Sequence, residues 1–274
     1  MLFCAASASA GAPVWEITEG LAQPESAYYD QDSGFLYISN VAGTPGEKDG
    51  KGWIMKADLS GKVLAAQWVA GLNAPKGLRS FKGKLYTADI DELVEIDIAS
   101  AVITRRIPAP GAQMLNDVAV DAKGNVYVSD TIGSRIYIFS PKAGITTFAV
   151  GAQLESPNGL YWTPKALYIA AWGLAAPDWS TKEPGRLLAL DPKTMAVTPK
   201  GELRGNLDGL EPWKGGWLVS DFAAGKVYRV GKDGKATLLL EGFKGSADLG
   251  VIPAKNLLIL PRMQDGVVSA YELK

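Results

Sequence analysis

The chain has 274 residues, of which 47% are hydrophobic, and a formal net charge of −1. This length and apolar content can form a sizeable buried core, and the near-zero charge gives no electrostatic reason to expect binding to nucleic acid or to an anionic membrane surface. The chain contains no histidine and one cysteine, Cys4, which excludes a Ser-His-Asp triad, a histidine-based zinc site and a disulfide within these residues.

The first 13 residues, MLFCAASASAGAP, resemble the end of a secretory signal peptide, because a short apolar run is followed by small residues with A-x-A spacing. The charged segment that normally precedes the apolar run is missing. We interpret residues 1–13 as a signal-peptide remnant or disordered leader, and 14–274 as a single domain of an exported protein, periplasmic or secreted. A cytoplasmic location is the alternative. No later apolar run is long enough to span a membrane.

A sequence pattern recurs six times after this leader, at intervals of roughly 40 to 50 residues. Each copy opens with a polar residue, continues into a short apolar stretch, passes a turn and enters a second strand. The opening residues are Glu25, Lys76, Asn116, Asn158, Asp208 and Asp248. A repeat of this length that holds several short strands is typical of a β-propeller, so the sequence predicts an all-β fold with six blades.

The third copy illustrates the predicted strands of one blade, which cover 118–120, 126–128, 135–139 and 145–149. Residues 121–124 form the first hairpin turn, where Gly124 supplies a positive φ. The sixth copy ends at Lys274 after its third strand. We therefore expect 14–18 to supply the missing fourth strand, which would close the ring and leave no exposed edge.

Two connections between second and third strands are longer than the others, at 41–52 in the first blade and 171–185 in the fourth. Both should lie on the face where the opening residues of the repeats meet, and added length on one face often marks the binding face of a repeat protein. Trp172 and Trp179 lie in the second insertion. They either form the wall of an apolar, substrate-binding pocket or pack within the loop.

The opening residues of the repeats are the main candidates for a functional site, and we call them the polar ring. Dipeptides such as Asn158-Gly159 and Asp208-Gly209 usually form hairpin turns, but each copy already has a separate turn between its first two strands. In a closed propeller the same position of every blade lies on one circle around the axis. The alternative is that these residues cap connections or hydrogen-bond to the channel wall.

Two carboxylates and two amide oxygens of the polar ring form a hard ligand set that would balance a divalent cation. These ligands are Glu25, Asn116, Asn158 and Asp208. Ca²⁺ fits such a set best, Mg²⁺ or Mn²⁺ follow, and Zn²⁺ is less natural. The remaining ring residues, Lys76 and Asp248, either pair with each other, or Lys76 holds an anionic group of the substrate while Asp248 acts as a base.

Other recurring residues indicate structural roles. Asp89, Asp130 and Asp221 share one position after the second strand, which favours an Asx-turn role over catalysis. A tyrosine recurs within the second strand of four blades, where it is expected in the core or between blades. These tyrosines are Tyr37, Tyr86, Tyr127 and Tyr168.

The motifs PES, LNDVAVDAKGNVYVSD, SPNGLYW and LDGLEPWKGGWLVSD resemble the regucalcin/gluconolactonase family of six-bladed propellers, also called the senescence marker protein family. This family is related to paraoxonases and diisopropyl-fluorophosphatases. The resemblance covers the chain after the leader. It implies one divalent metal at the top of the central channel, bound through Glu25, Asn116, Asn158 and Asp208, and a base role for Asp208. The family's sugar-lactone hydrolases commonly carry arginine two residues before the third-blade asparagine, where this chain has Met114.

These features favour a metal-dependent hydrolase that acts on a small molecule, a lactone or related ester. Asp208 or Asp248 would be the base. The residues expected to contact the substrate are Lys76, Asn116, Trp172 and Trp179. A carboxylate bound to a dication is a poor base, which leaves Asp248 as an alternative to Asp208. The competing hypothesis is a non-catalytic binding propeller of the NHL type with a structural ion. A strictosidine-synthase-like propeller lacks this ligand set and is disfavoured by it.

Overall fold

The structure, a computed structural model, describes residues 11–274. It consists of six four-stranded antiparallel sheets arranged as the blades of a propeller, which confirms the predicted fold class. The predicted leader, 1–13, falls almost entirely outside the described residues. Within 11–274, no helix is long and apolar enough to cross a membrane.

Strands are numbered in chain order, and the strands of each blade follow one another in the chain except in blade 6, which also contains the first strand of the chain. Blades 1 to 3 comprise β2 (Pro24–Asp30), β3 (Phe35–Asn40), β4 (Gly52–Ala57), β5 (Val63–Leu72), β6 (Pro75–Phe81), β7 (Lys84–Asp89), β8 (Glu92–Asp97), β9 (Val102–Pro108), β10 (Leu115–Val120), β11 (Val126–Asp130), β12 (Arg135–Ser140) and β13 (Gly144–Val150). Blades 4 to 6 comprise β14 (Pro157–Trp162), β15 (Leu167–Ala171), β16 (Gly185–Leu190), β17 (Val197–Gly205), β18 (Leu207–Trp213), β19 (Gly216–Asp221), β20 (Lys226–Val230), β21 (Ala236–Glu241), β22 (Gly250–Ile252), β23 (Leu257–Arg262), β24 (Val267–Glu272) and β1 (Trp15–Ile17). Two short 3-10 turns, Ala152–Leu154 and Pro253–Lys255, complete the secondary structure of residues 11–274.

The N-terminal strand closes the ring, as the sequence predicts. Strand β1 pairs antiparallel with β24, with Trp15 opposite Ala270 and Ile17 opposite Val268. The backbone N–H of Val14 donates to the carbonyl of Ala270 at 2.7 Å, which extends the pairing by one residue. The last blade therefore holds both ends of the described chain, and its outer edge is covered.

The inner strands begin earlier than the sequence predicts. Strand β10 starts at Leu115 rather than at 118, so Asn116 lies within the strand instead of before it. The pairing register shifts between Leu115 and Val118, and the same irregularity occurs at the matching place in blades 1, 2, 4 and 5. Such a bulge re-aims side chains at the end of a sheet, and here it includes the residue of the polar ring.

In blades 2, 4 and 5 the neighbouring inner strands approach so closely that only glycine fits next to the ring residue. Gly159 and Gly209 have no positive φ and lie within strands, so Asn158-Gly159 and Asp208-Gly209 are not hairpin turns. A Cβ on Gly159 would stand 2.0 Å from the carbonyl oxygen of Asp208 in the next blade. The glycines thus allow the inner strands to form a narrow channel.

The hydrophobic cores lie between neighbouring blades. Tyr127 of blade 3 stacks on Trp162 of blade 4 with ring centroids 4.6 Å apart, and Leu160 and Ile169 pack in the same cluster. Tyr37 and Tyr86 are buried in equivalent layers, and Tyr168 packs against Trp217 of blade 5. The recurring tyrosines are therefore packing residues, as predicted.

Candidate active site at the axial cavity

Five of the six residues of the polar ring line one cavity of about 530 Å³, which we call the axial cavity. They are Glu25, Lys76, Asn116, Asn158 and Asp208. The other lining residues come from connections on the same face, namely Pro45, Trp172, Trp179, Phe222, Ala223, Lys244, Met263 and Gln264. Both long insertions contribute to this wall, as the sequence predicts for a binding face.

Each of the four predicted metal ligands has one buried oxygen with no hydrogen-bond partner among the described residues. These atoms are Glu25 Oε2, Asn116 Oδ1, Asn158 Oδ1 and Asp208 Oδ1. Buried polar atoms are normally paired, and four orphaned acceptors in one cavity are the arrangement that a cation would satisfy. The residues therefore fit a hard divalent metal.

The described residues contain no group of three or more His, Cys, Asp or Glu side chains placed to hold a metal. The four predicted ligands of the polar ring would not form a group of that kind, because two of the four are the amide oxygens of Asn116 and Asn158. A site of this composition suits Ca²⁺ or Mg²⁺, which accept neutral oxygen ligands together with carboxylates.

The carboxyl groups of the ring are in an environment that disfavours their charged form. Burial raises the pKa of Glu25 well above its ordinary value, and the charges of Asp208 and Asp248 raise it further. Burial also raises the pKa of Asp208, with a further contribution from Asp117. A bound dication would oppose both effects, because a positive charge favours the ionised carboxylate.

Lys76 and Asp248 do not pair, which corrects one of the two predicted alternatives. Within 11–274, no ion pair joins them; the ammonium group of Lys76 donates instead to the carbonyls of Ala74 at 3.0 Å and Pro45 at 3.4 Å. Asp248 is buried and accepts the hydroxyl hydrogen of Ser26 at 2.5 Å. Lys76 lines the axial cavity, and Asp248 is not one of its lining residues.

Serines of the second strands support the ring, a role that the sequence analysis missed. Ser129 Oγ accepts the N–H of Asp117 at 2.8 Å and donates to the carbonyl of Asn158 in the next blade at 2.8 Å. Ser220 likewise accepts the N–H of Gly209 and donates to the carbonyl of Ala247. These bonds satisfy backbone N–H groups that, because of the bulge, do not pair with the neighbouring strand of the blade. The recurrence of serine before the aspartate in VYVSD and WLVSD was the available signal.

The aspartates at the ends of the second strands of blades 2, 3 and 5 have structural roles. Asp130 accepts backbone N–H groups from Met114 at 2.9 Å and Gly133 at 3.1 Å. Asp89 accepts the N–H of Ala74 at 2.7 Å, and Asp221 accepts that of Ala224 at 3.0 Å. Asp130 and Asp221 each accept an N–H of the turn that follows them, which confirms the predicted Asx-turn role for these two. Asp89 instead holds the residues that lead into the inner strand of its own blade.

Trp172 and Trp179 form an aromatic wall on one side of the cavity. Their ring centroids are 5.4 Å apart with an edge-to-face orientation, and Trp172 lies 5.7 Å from Phe222 of blade 5. The indole N–H of Trp172 donates to the carbonyl of Trp179 at 3.1 Å. Both tryptophans line the axial cavity and also pack on each other within the insertion, and their contact with a substrate stays a prediction.

A second layer crosses the channel three residues further along the inner strands. Arg79 of blade 2 forms an ion pair with Glu211 of blade 5, and these blades face each other across a ring of six. The guanidinium lies over the rings of Tyr28 and Tyr161, 5.2 and 5.9 Å from their centroids. This layer lies beyond the ring and is not part of the lining of the axial cavity.

Comparison with known proteins relates the chain to solved propellers. No protein-family model matches the sequence, and no curated protein sequence matches it. A gluconolactonase from Xanthomonas campestris is similar in structure with a TM-score of 0.68 and 14% identity, covering 93% of this chain and 87% of that one.

Two lyase structures are also similar. A catalytically inactive variant of virginiamycin B lyase from Staphylococcus aureus, solved with quinupristin, has a TM-score of 0.62 and 12% identity, covering 95% of this chain and 98% of that one. A streptogramin B lyase has a TM-score of 0.62 and 9% identity, with 94% and 96% covered. At these identities the likeness shows the propeller fold alone, and the number of six blades comes from the sheets of this chain.

Proposed function

We propose that the protein is a divalent-metal-dependent hydrolase of lactones or related esters, with its active site in the axial cavity. The observation that supports this most is the convergence of four orphaned oxygens, from Glu25, Asn116, Asn158 and Asp208, on one cavity. The structural similarity to a gluconolactonase agrees with this reaction class.

The cation would most naturally be Ca²⁺, with Mg²⁺ or Mn²⁺ as further candidates. When bound by the four ring residues, it would polarise the substrate carbonyl and stabilise the negative charge that develops on oxygen. Asn116 and Lys76 would contact the substrate, because both line the cavity beside the carboxylates.

Hydrolysis requires a water oxygen to add to the carbonyl carbon and the ester C–O bond to break. The water proton must reach the departing alkoxide oxygen. Asp208 is the candidate that would accept this proton and return it, since its carboxyl group lines the cavity beside the expected position of the substrate. General acid–base catalysis of this kind contributes about 10²- to 10⁴-fold.

The test of the metal assignment is a double variant, Glu25→Gln with Asp208→Asn, which leaves the site without an anionic ligand. Calcium titration of chelator-treated protein by calorimetry should show one site in the parent protein and no tight binding in the variant. The matched control, Glu272→Gln with Asp32→Asn, removes the same charges from exposed positions and should bind calcium normally.

Unchanged calcium affinity in the double variant would refute the ligand assignment. The parent protein should also hydrolyse members of a lactone and phosphotriester panel only with added metal. Metal binding without turnover on any member of the panel would instead favour a non-catalytic binding propeller.

A further inference from the structure

The axial cavity has two chemically distinct parts. The polar ring forms one end, and the wall above it is formed mainly by apolar side chains from blades 1, 4, 5 and 6. These side chains are Pro45, Trp172, Trp179, Phe222, Ala223 and Met263. Within the described part of the chain, the only charged or amide side chains on this wall are Lys244 and Gln264, and both are exposed.

Three polar groups close to the wall are already engaged by other parts of the chain. The indole N–H of Trp172 donates to the carbonyl of Trp179. The backbone carbonyl of Trp172 accepts a hydrogen bond from the side-chain amide of Asn206 at 2.9 Å. Lys76 donates to the carbonyls of Ala74 and Pro45. A ligand that carries a hydroxyl on most of its carbons would find few partners here, and buried hydroxyls without partners lose affinity.

The aromatic wall is held in place before any ligand binds. Trp179 has a φ of 65°, in the left-handed region that bulky residues rarely adopt. The N–H of Trp179 donates to the carbonyl of Ala176 at 2.9 Å, and Ala175 forms a bridge with Thr181. The insertion is therefore a folded loop that keeps a strained residue in one orientation, and such strain is commonly found where a side chain contacts a ligand.

We propose that the substrate of the axial cavity is a lactone or ester whose non-reacting part is an apolar alkyl or aromatic group seated against Trp172, Trp179 and Phe222. The reacting carbonyl would lie at the polar ring, and the apolar group would extend along the wall. This inference rests on the proposed hydrolase function, and it distinguishes the chain from an enzyme for polyhydroxylated lactones.

The experiment uses γ-lactones that differ only in the length of the alkyl tail, from γ-butyrolactone to γ-nonalactone, together with D-glucono-δ-lactone. Each buried methylene should raise kcat/KM about fourfold until the cavity is filled. Binding of the matching 5-alkyl-2-pyrrolidinones, which are not cleaved, is measured by calorimetry and reports the same preference without turnover.

Phe222→Ala should flatten the dependence on tail length in both measurements, because it removes part of the wall. Phe35→Ala is the matched control, since Phe35 lies at the opposite end of its blade and packs against Lys56. The control should keep the dependence on tail length of the parent protein.

Three outcomes would overturn one or both proposals. A higher kcat/KM for D-glucono-δ-lactone than for γ-nonalactone would overturn the apolar substrate and leave the hydrolase function intact. Tail-dependent binding of the pyrrolidinones without hydrolysis of any lactone or ester would overturn the hydrolase function alone. If the pyrrolidinones do not bind and no lactone is cleaved, both proposals fail.

Discussion

Asp208 and Asp248 occupy the same position in neighbouring blades, yet their surroundings differ. Each carboxyl group has one buried oxygen without a partner among the described residues, but only Asp208 lines the axial cavity. The other oxygen of Asp248 accepts the hydroxyl hydrogen of Ser26, whereas burial and Asp117 raise the pKa of both carboxyl groups alike. Asp208 is therefore the better placed of the two to exchange a proton with a water molecule in the cavity.

This difference predicts the effect of two isosteric variants on hydrolysis. Asp208→Asn should lower kcat by at least about 100-fold, because it removes the expected proton acceptor. Asp248→Asn should lower kcat less than about tenfold, since an amide oxygen can still accept the hydrogen bond from Ser26. Steady-state kinetics with saturating metal measure both values, and calorimetry reports whether each variant still binds the cation.

The opposite result would reassign the base. If Asp248→Asn keeps the metal affinity of the parent protein but loses as much kcat as Asp208→Asn, then Asp248 takes part in proton transfer. In that case Asp208 would act only as a ligand, which agrees with the low basicity of a carboxylate bound to a dication.

The inner strand is the element that connects the repeat to the site. In blades 2, 4 and 5 its polar residue, its bulge and the glycine that follows form one unit, because the bulge directs the ring residue and the glycine lets the next strand approach. In blade 3 the glycine is replaced by Asp117, whose carboxylate accepts the N–H of Leu160 in blade 4 at 2.6 Å. The same position thus joins adjacent blades by two different means.

Gly159→Ala tests the need for this close approach. The new Cβ would stand 2.0 Å from the carbonyl oxygen of Asp208, so the two inner strands must separate. Overpacking of this kind costs about 1–3 kcal/mol of unfolding free energy, and moving the backbone of Asp208 should also weaken calcium binding. Urea unfolding and calorimetry measure the two effects.

Gly46→Ala is the control for this variant. Gly46 also has no positive φ, and its Cβ would make an ordinary contact of 3.5 Å with the methyl carbon of Met114. We expect its unfolding free energy and calcium affinity to match those of the parent protein. If Gly159→Ala and the parent protein have equal unfolding free energies, the two inner strands can accommodate a Cβ at this position and the close approach does not require glycine.

Sequence patterns predicted the strands well but placed the start of the inner strands too late. The apolar alternation begins only after Asn116, because the bulge interrupts the pairing there, so a pattern of alternating residues cannot include it. The hydrogen bonds of Ser129 and Ser220 were missed for the same reason, since in the sequence both serines resemble ordinary strand residues. Their role depends on the bulge, which leaves a backbone N–H free to donate to each hydroxyl.

At the scale of the whole molecule, the repeat is sufficient to predict the fold. Six copies and one missing strand require the N-terminal segment to complete the last blade, and β1 does so. The convergence of the ring residues also follows from the repeat, because equivalent positions lie on one circle. Contacts across that circle do not follow, since they depend on which residues face each other through the axis.

The ion pair between Arg79 and Glu211 is such a contact. The two residues are 132 positions apart in the chain, and only ring closure brings blades 2 and 5 opposite each other. Their side chains are 12% and 13% exposed. Burial alone would lower the pKa of Arg79, but the charges of Glu211, Asp117 and Asp248 outweigh this effect and raise it. The pair therefore belongs to the closed ring rather than to any single blade.

A double-mutant cycle tests whether this pair holds the ring together. Arg79→Met should lower the unfolding free energy by about 3–5 kcal/mol, because it leaves Glu211 as a buried charge without its partner. Combining it with Glu211→Leu should recover most of that loss, since no buried charge of the pair then remains. Urea unfolding of the parent protein, both single variants and the double variant gives the coupling energy. If the losses of the single variants simply add in the double variant, the two side chains act independently and the channel is stabilised by the inter-blade cores alone.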